Sequence, residues 1–223
     1  KTKEIMLPAS NGSRTITVRI IEEQEIIDGV TTEIAQHYYA RCIETSDIYY
    51  FGEHVNVYEG GGIVSNIGSW EAGINGAVPG IIMPGTFMLG ARYFHQQAPG
   101  AIMDMAENSE MGLTVQTAIG DLENCIRIFE YDGFKPETAP SIKIYAPGIG
   151  IINDDDILKL EELHLGKTGL PGECSFIPFS DHPFLPFSPG MQLEYLGSGN
   201  QTGVSMLITV LDEIRNISLE VGG

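Results

Sequence analysis

Apolar and polar residues alternate along much of this chain with a period of two, the spacing of strands buried on one face. Ile16, Val18 and Ile20 interleave with Thr15, Thr17 and Arg19. Asp28-Gly29 offers a tight turn into a second run over 31–43. Further runs fall at 47–51, 55–58, 63–67, 91–97, 113–117, 124–131, 141–145 and 157–163, most of them separated by Gly, Pro, Asn or Asp. Gly60-Gly-Gly62 reads as a hairpin loop. Only 155–165 also fits one or two helical turns, through Leu158, Glu161, Glu162 and Leu165, so that segment stays open between helix and strand. The pattern predicts a mainly β protein, an antiparallel meander curled into a barrel or half-barrel.

Two stretches interrupt the alternation. Gly73, Gly76, Pro79, Gly80, Pro84 and Gly85 punctuate 71–89, the composition of a functional or packing loop. Residues 166–189 interleave five prolines with Phe176, Phe179, Phe184 and Phe187. Proline removes ladder donors and phenylalanine seeks an apolar surface, so this reads as an extended strap. Beyond it the sequence repeats itself. Glu4-Ile-Met-Leu, Asn11-Gly-Ser and Ile16-Thr-Val18 are echoed by Glu194-Tyr-Leu, Asn200-Gln-Thr and Ile208-Thr-Val210. The expected organisation is a β body over 1–165, a strap over 166–189 and a terminal strand pair over 190–223 that resembles the start of a second copy. Two strands alone are not stable and need a sheet to join.

The formal charge is −18, from 12 Lys and Arg against 30 Asp and Glu. That argues against nucleic acid and anionic membranes as partners. No apolar run is long enough for a transmembrane helix, and the charged Lys1-Thr-Lys-Glu start does not read as a signal peptide. The sequons at Asn11, Asn200 and Asn216 favour an extracellular or cell-surface setting, with glycosylation at those three asparagines.

Candidate chemistry is sparse. Cys42 and Cys125 each lie in a strand-like run, compatible with a disulfide between neighbouring strands or with two buried thiols. Cys174 falls in the strap without an evident partner. His95 precedes Met103, Met105 and Met111, a set of soft ligands that also suits core filling. Asp154, Asp155 and Asp156 form a calcium-loop candidate without the ligand spacing of an EF-hand, so a solvated turn is the alternative. No other cofactor is implied. Trp70 with Tyr49, Tyr50, Phe51 and Tyr58 suits either a ligand pocket or core. No nucleophile elbow or phosphate loop occurs. The chain therefore does not read as an enzyme, with a hydrolase using Asp104 and Glu107 left open.

Several ordered blocks, Tyr49-Tyr-Phe-Gly-Glu53, Ser69-Trp-Glu-Ala-Gly73, Pro79-Gly-Ile-Ile-Met-Pro-Gly85, Ala98-Pro-Gly100 and Tyr145-Ala-Pro-Gly-Ile-Gly150, resemble a family of secreted bacterial and archaeal β-rich proteins of unknown function. The resemblance spans roughly residues 14–160 and implies a fold without an activity. In that family a Pro-Phe-hydrophobic-Pro-Gly element leads into the first strand. Here the matching element, Pro183-Phe-Leu-Pro-Phe-Ser-Pro-Gly190, lies near the far end of the sequence.

Two functional expectations follow. One is an extracellular structural protein that assembles head-to-tail with itself into filaments, donating its terminal strands to a neighbour through Phe184, Phe187, Met191, Leu193, Tyr195, Ile208, Val210 and Ile214. The other is a secreted binding module in which the same strands close their own barrel around a small apolar ligand.

Overall fold

The computed structural model describes residues 2–9, 12–164, 182–186, 188–198 and 202–211, and no helix occurs among them. Fifteen strands form one antiparallel sheet. In chain order they are β1 (Thr2–Ala9), β2 (Gly12–Ile27), β3 (Val30–Arg41), β4 (Ile48–Glu59), β5 (Gly62–Ser65), β6 (Trp70–Glu71), β7 (Gly80–Met83) and β8 (Arg92–Ala98). There follow β9 (Ile102–Thr117), β10 (Gly120–Asp132), β11 (Ser141–Ala146), β12 (Gly150–Asp154), β13 (Leu158–His164), β14 (Gln192–Gly197) and β15 (Val204–Val210). The hydrogen-bonded order is β5-β4-β3-β2-β15-β14-β13-β12-β11-β10-β9-β8, with β1 on β2 and with β6 and β7 on β4. The mainly β meander expected from the alternation is the observed fold.

Local sequence explains the joints. Asp28 and Gly29 both have positive φ, and Ile27 pairs with Val30, which makes the two-residue turn with the hand that matches strand twist. Gly60 and Gly61 do the same between β4 and β5. The runs at 47–51 and 55–58 merge into β4, which a register shift opposite Tyr38 and Tyr39 bends without breaking. Within the 155–165 segment, Leu158–His164 is strand β13, paired with β14 and burying Leu160. β12 escapes the pattern because its polar end, Asn153-Asp154, disguises a strand whose Ile152 is buried.

The terminal pair is built into this chain's own sheet. β14 pairs with β13 and β15, and β15 pairs with the second half of β2. Met191, Leu193, Tyr195 and Val210 are buried in the core, with Ile208 and Phe184 packed against it. Phe187 and Ile214 lie outside the described residues. β2 serves two partners on one edge. Thr2 of β1 pairs with Arg19, and Val210 of β15 pairs with Ile21, so β1 and β15 lie end to end along it.

The sheet does not close by continuous hydrogen bonding, yet its two ends meet. The rings of Tyr50 in β4 and His95 in β8 are 6.0 Å apart between centroids. A single bridge joins Val78 to Gln97, through the Val78 amide donating to the Gln97 carbonyl at 2.9 Å. Gly80 allows the approach of β7 to β8, since a Cβ there would stand 2.1 Å from the His95 carbonyl oxygen.

Candidate functional site

Strand register assembles an unexpected set of side chains on one face. Ile21 faces His37 across β2 and β3, and Arg19 faces Tyr39. His37 faces Glu53, and Tyr39 faces Tyr50, across β3 and β4. On the other flank of β2, Glu23 pairs with Ile208 and Ile21 with Val210. Lys143 pairs with Asp154 across β11 and β12, and with Ile128 across β10 and β11. Residues opposite one another in an antiparallel pair share a face. The curl then brings these strands around a common interior.

Ion pairs and hydrogen bonds link the polar groups there. Nδ1 of His37 lies 2.6 Å from the Tyr50 hydroxyl and 3.4 Å from a Glu53 oxygen. Its Nε2 lies 3.7 Å from Glu23 and makes no hydrogen bond. Across the interior, His95 Nδ1 is 3.2 Å from Glu130, and Lys143 contacts Asp154 and stands 3.9 Å from Glu130. The Asp154 charge reaches Glu23, so the two groups communicate electrostatically.

Burial sets the charge states. It pushes the Glu23 carboxyl up to about 7, reinforced by the negative charge of Asp154. It lowers His37 below the ordinary histidine value, against the pull of Glu53, so the imidazole is neutral at pH 7. Glu53 and Asp154 are raised by burial, in spite of His37 beside the first and Lys143 beside the second. Burial would raise Glu130 too, but His95 and Lys143 outweigh it and hold the carboxyl below the usual range. Burial opposes the charge on Lys143 as well, and Glu130 and Asp154 overcome it. Tyr39, Tyr50, Tyr145 and Tyr195 are driven well above the normal phenol range, mainly by burial, and stay protonated.

A cavity of about 120 Å³ opens on this cluster. Glu23, His37, Tyr39 and Asp154 give it polar groups; Ile21, Leu193, Met206 and Val210 are among its apolar walls. Leu185, Pro186 and Met191 line it as well, so the end of the strap lies against the interior.

The residues singled out in the sequence fall mostly elsewhere. The expected Cys42–Cys125 disulfide does not form, and both thiols are free. The strands are not neighbours: six lie between β3, which ends just before Cys42, and β10, which carries Cys125. Cys42 Sγ bonds Glu44, and Cys125 Sγ bonds the Leu122 carbonyl. Asp154 is taken by Lys143, Asp155 accepts from the Ile142 amide, and Asp156 accepts from Asn153. Among the described residues no three His, Cys, Asp or Glu side chains are grouped to hold a metal ion. Asp104 and Glu107 are three positions apart on a regularly paired part of β9 and so face opposite sides; Glu107 pairs with Arg92. Asn11, Asn200, Asn216 and Cys174 lie outside the described residues.

Trp70, Tyr50 and Phe51 are buried, with Tyr50 edge-on to Trp70 at 5.3 Å. Tyr50 also lies against His37 and His95, whereas Phe51 lines a separate pocket with Leu7, Ile16 and Tyr49. Gly52, beside Glu53, has φ +136°, and a Cβ there would stand 2.3 Å from the Trp70 carbonyl oxygen, so both the backbone angle and the close approach of β6 call for glycine. Pro79-Gly80 supplies the close approach under His95. Sequence reasoning missed Glu23, His37, Glu53, Glu130 and Lys143, since an acid in an alternating run reads as outward-facing until the register is known. Fold and site together define an all-β protein, a curled antiparallel sheet around a titratable interior. The chain matches no family model, no curated protein and no solved structure.

Proposed function

We propose that this protein is a binding module that takes a small, largely apolar molecule with a hydrogen-bonding head into the interior of its curled sheet. The carrying observation is the 120 Å³ cavity, lined mostly by apolar side chains together with Glu23, His37 and Asp154. A cavity of this order holds a benzene-sized molecule, an engineered one of about 150 Å³ being known to do so. The unpartnered Nε2 of His37 and the protonatable Glu23 supply the contact for its head. The sequons support an extracellular or cell-surface setting for this activity.

Titration with benzene, benzyl alcohol and benzylamine tests the proposal, read by methyl NMR at Met191 and Met206, two residues lining the cavity. Saturable shifts at both methyls, strongest for the two molecules with polar heads, are expected. No shift with any of the three at millimolar concentration overturns the reading.

A second reading, head-to-tail assembly by strand donation, is favoured by the seam on β2 where β1 and β15 abut. A strand from a second copy could replace β15 there without disturbing β1. Electron microscopy of the full chain and of a variant lacking 183–223 tests it. Filaments that vanish with the deletion, leaving a folded body, support donation; a monodisperse full chain removes it.

A further inference from the structure

Two carboxylates line the interior cavity, and they differ in what they meet. Asp154 is taken by Lys143. Glu23 has only the His37 ring, 3.7 Å away and neutral at pH 7. Among the described residues no hydrogen bond reaches the Glu23 carboxyl, and no lysine or arginine lies within ion-pair distance of it. The other interior acids are matched, Glu53 by His37 and Tyr50, and Glu130 by His95 and Lys143. Glu23 is also reachable. Its side chain is 33% accessible, yet burial is the main influence on its carboxyl, so that accessible part opens on an enclosed space.

We infer that the cavity takes its ligand as an organic ammonium, a benzylamine-sized cation whose N–H groups donate to Glu23; this rests on the interior cavity being a binding site. A head that only accepts hydrogen bonds has nothing to offer a carboxylate. A hydroxyl donates one bond but leaves the negative charge unbalanced, with Asp154 and Glu25 near enough to repel it. An ammonium donates and cancels the charge, and such charge-assisted bonds are roughly twice as strong as neutral ones. A carboxylate ligand would set a second desolvated negative charge beside the first, the least favourable case. Ile21, Leu193, Met206 and Val210 suit an apolar body behind the head. The formal charge of −18 also draws cations toward the protein.

Proton and ammonium then compete for one carboxylate. Glu23 keeps its proton up to about 7, so below that pH the ligand must first displace it. The groups whose charge or dipole reaches Glu23 are Glu33, His37 and Tyr39 on β3, Glu53 and Tyr50 on β4, and Glu25 on its own strand. Lys143 on β11, Asp154 on β12 and Tyr195 on β14 complete the set, while β15 sets Ile208 opposite. The tyrosines stay protonated and Lys143 stays charged through the neutral range. In acid the other carboxyls only lose negative charge and His37 only gains positive charge, so each pushes the same way as Glu23. Acid expels the ligand.

Wild-type protein is titrated with benzylamine, benzyl alcohol and phenylacetate at pH 8 and pH 5.5, read at the Met191 and Met206 methyls. At pH 8 benzylamine should bind about tenfold tighter than the alcohol or better, and phenylacetate should give no saturable shift. At pH 5.5 the benzylamine affinity should fall about 30-fold, the cost of displacing a proton from a carboxyl near 7, while the alcohol changes little. Glu23→Gln, its fold checked by circular dichroism, should erase both the amine preference and its pH dependence. The inference is overturned by benzylamine binding no tighter than the alcohol at pH 8, by equal benzylamine affinity at the two pH values, by saturable phenylacetate binding at pH 8, or by a Glu23→Gln protein that keeps the preference. Benzyl alcohol and benzene binding without an amine preference leaves the cavity reading standing and removes this one alone; no shift with any probe removes both.

Discussion

The Tyr50 hydroxyl lies 2.6 Å from Nδ1 of His37, and through this contact β3 and β4 share a buried proton. Tyr50 is 1% exposed, and its ring touches those of Tyr39, Trp70 and His95. Tyr50→Phe keeps the ring and removes the bond. It should lower stability by about 1–2 kcal/mol in urea unfolding, the cost of leaving a buried partner unmatched. In the wild type, NMR titration should find His37 gaining its proton only below the ordinary histidine range, because burial disfavours the cation.

Glu23 sets a second test. Its carboxyl titrates near 7 in the folded chain against 4.5 in the unfolded one. Between these values the unfolded state has released a proton that the folded state keeps. Stability therefore falls as pH rises through that window, and the penalty stays in place above it. Glu23→Gln should leave stability unchanged at pH 4 and raise it by roughly 2 kcal/mol at pH 8, a figure reduced for the third of the side chain that faces the cavity. His37 acts in the opposite sense. The unfolded state takes up its proton first, so this group lowers stability as pH falls below about 6.5. Chemical unfolding at four or five pH values checks both signs.

Much of the sheet was legible because alternation is local. Ile16-Val18-Ile20, the Asp28-Gly29 turn and the 141–145 run all appear where the pattern puts them. The interior was not legible, because facing depends on register between strands distant in sequence. Glu23 meets Ile208 across β2 and β15, and nothing near Glu23 announces that pairing. Bulges compound the difficulty. His95 is the extra residue of a register shift in β8, which returns an odd position to the inner face. The disulfide expectation failed for the same reason, adjacency in the sheet being unrelated to adjacency in the pattern.

Gly80 offers a test of the seam where the sheet's ends meet. Gly80→Ala would set a methyl 2.1 Å from the His95 carbonyl oxygen and push β7 off β8. A loss of about 1–3 kcal/mol is expected, the usual range for a forced steric conflict in a core. Hydrogen exchange should show lost protection at the Val78 amide, whose acceptor is the Gln97 carbonyl. Unchanged protection there would show that the bridge does not depend on this glycine.

The thiols give a direct chemical readout. Cys125 is fully buried, whereas Cys42 sits in the β3–β4 connection and lines an open pocket. Iodoacetamide should label Cys42 in the native protein and Cys125 only after denaturant, with burial raising the Cys125 thiol above its usual value. Peptide mapping by mass spectrometry distinguishes the two, and a Cys42–Cys125 crosslinked peptide would contradict the fold.

The order in which β2 acquires its partners also bears on how the chain folds. β1 and β3 flank it in sequence, but β15 is about 180 residues further along. During synthesis half of one β2 edge stays open until nearly the whole sheet has emerged. Such distant pairing places the protein among slow folders, at milliseconds to seconds or longer. The stretch of edge left open is the one that receives the β14–β15 hairpin, so the nascent chain is exposed to wrong partners there until that hairpin has been made.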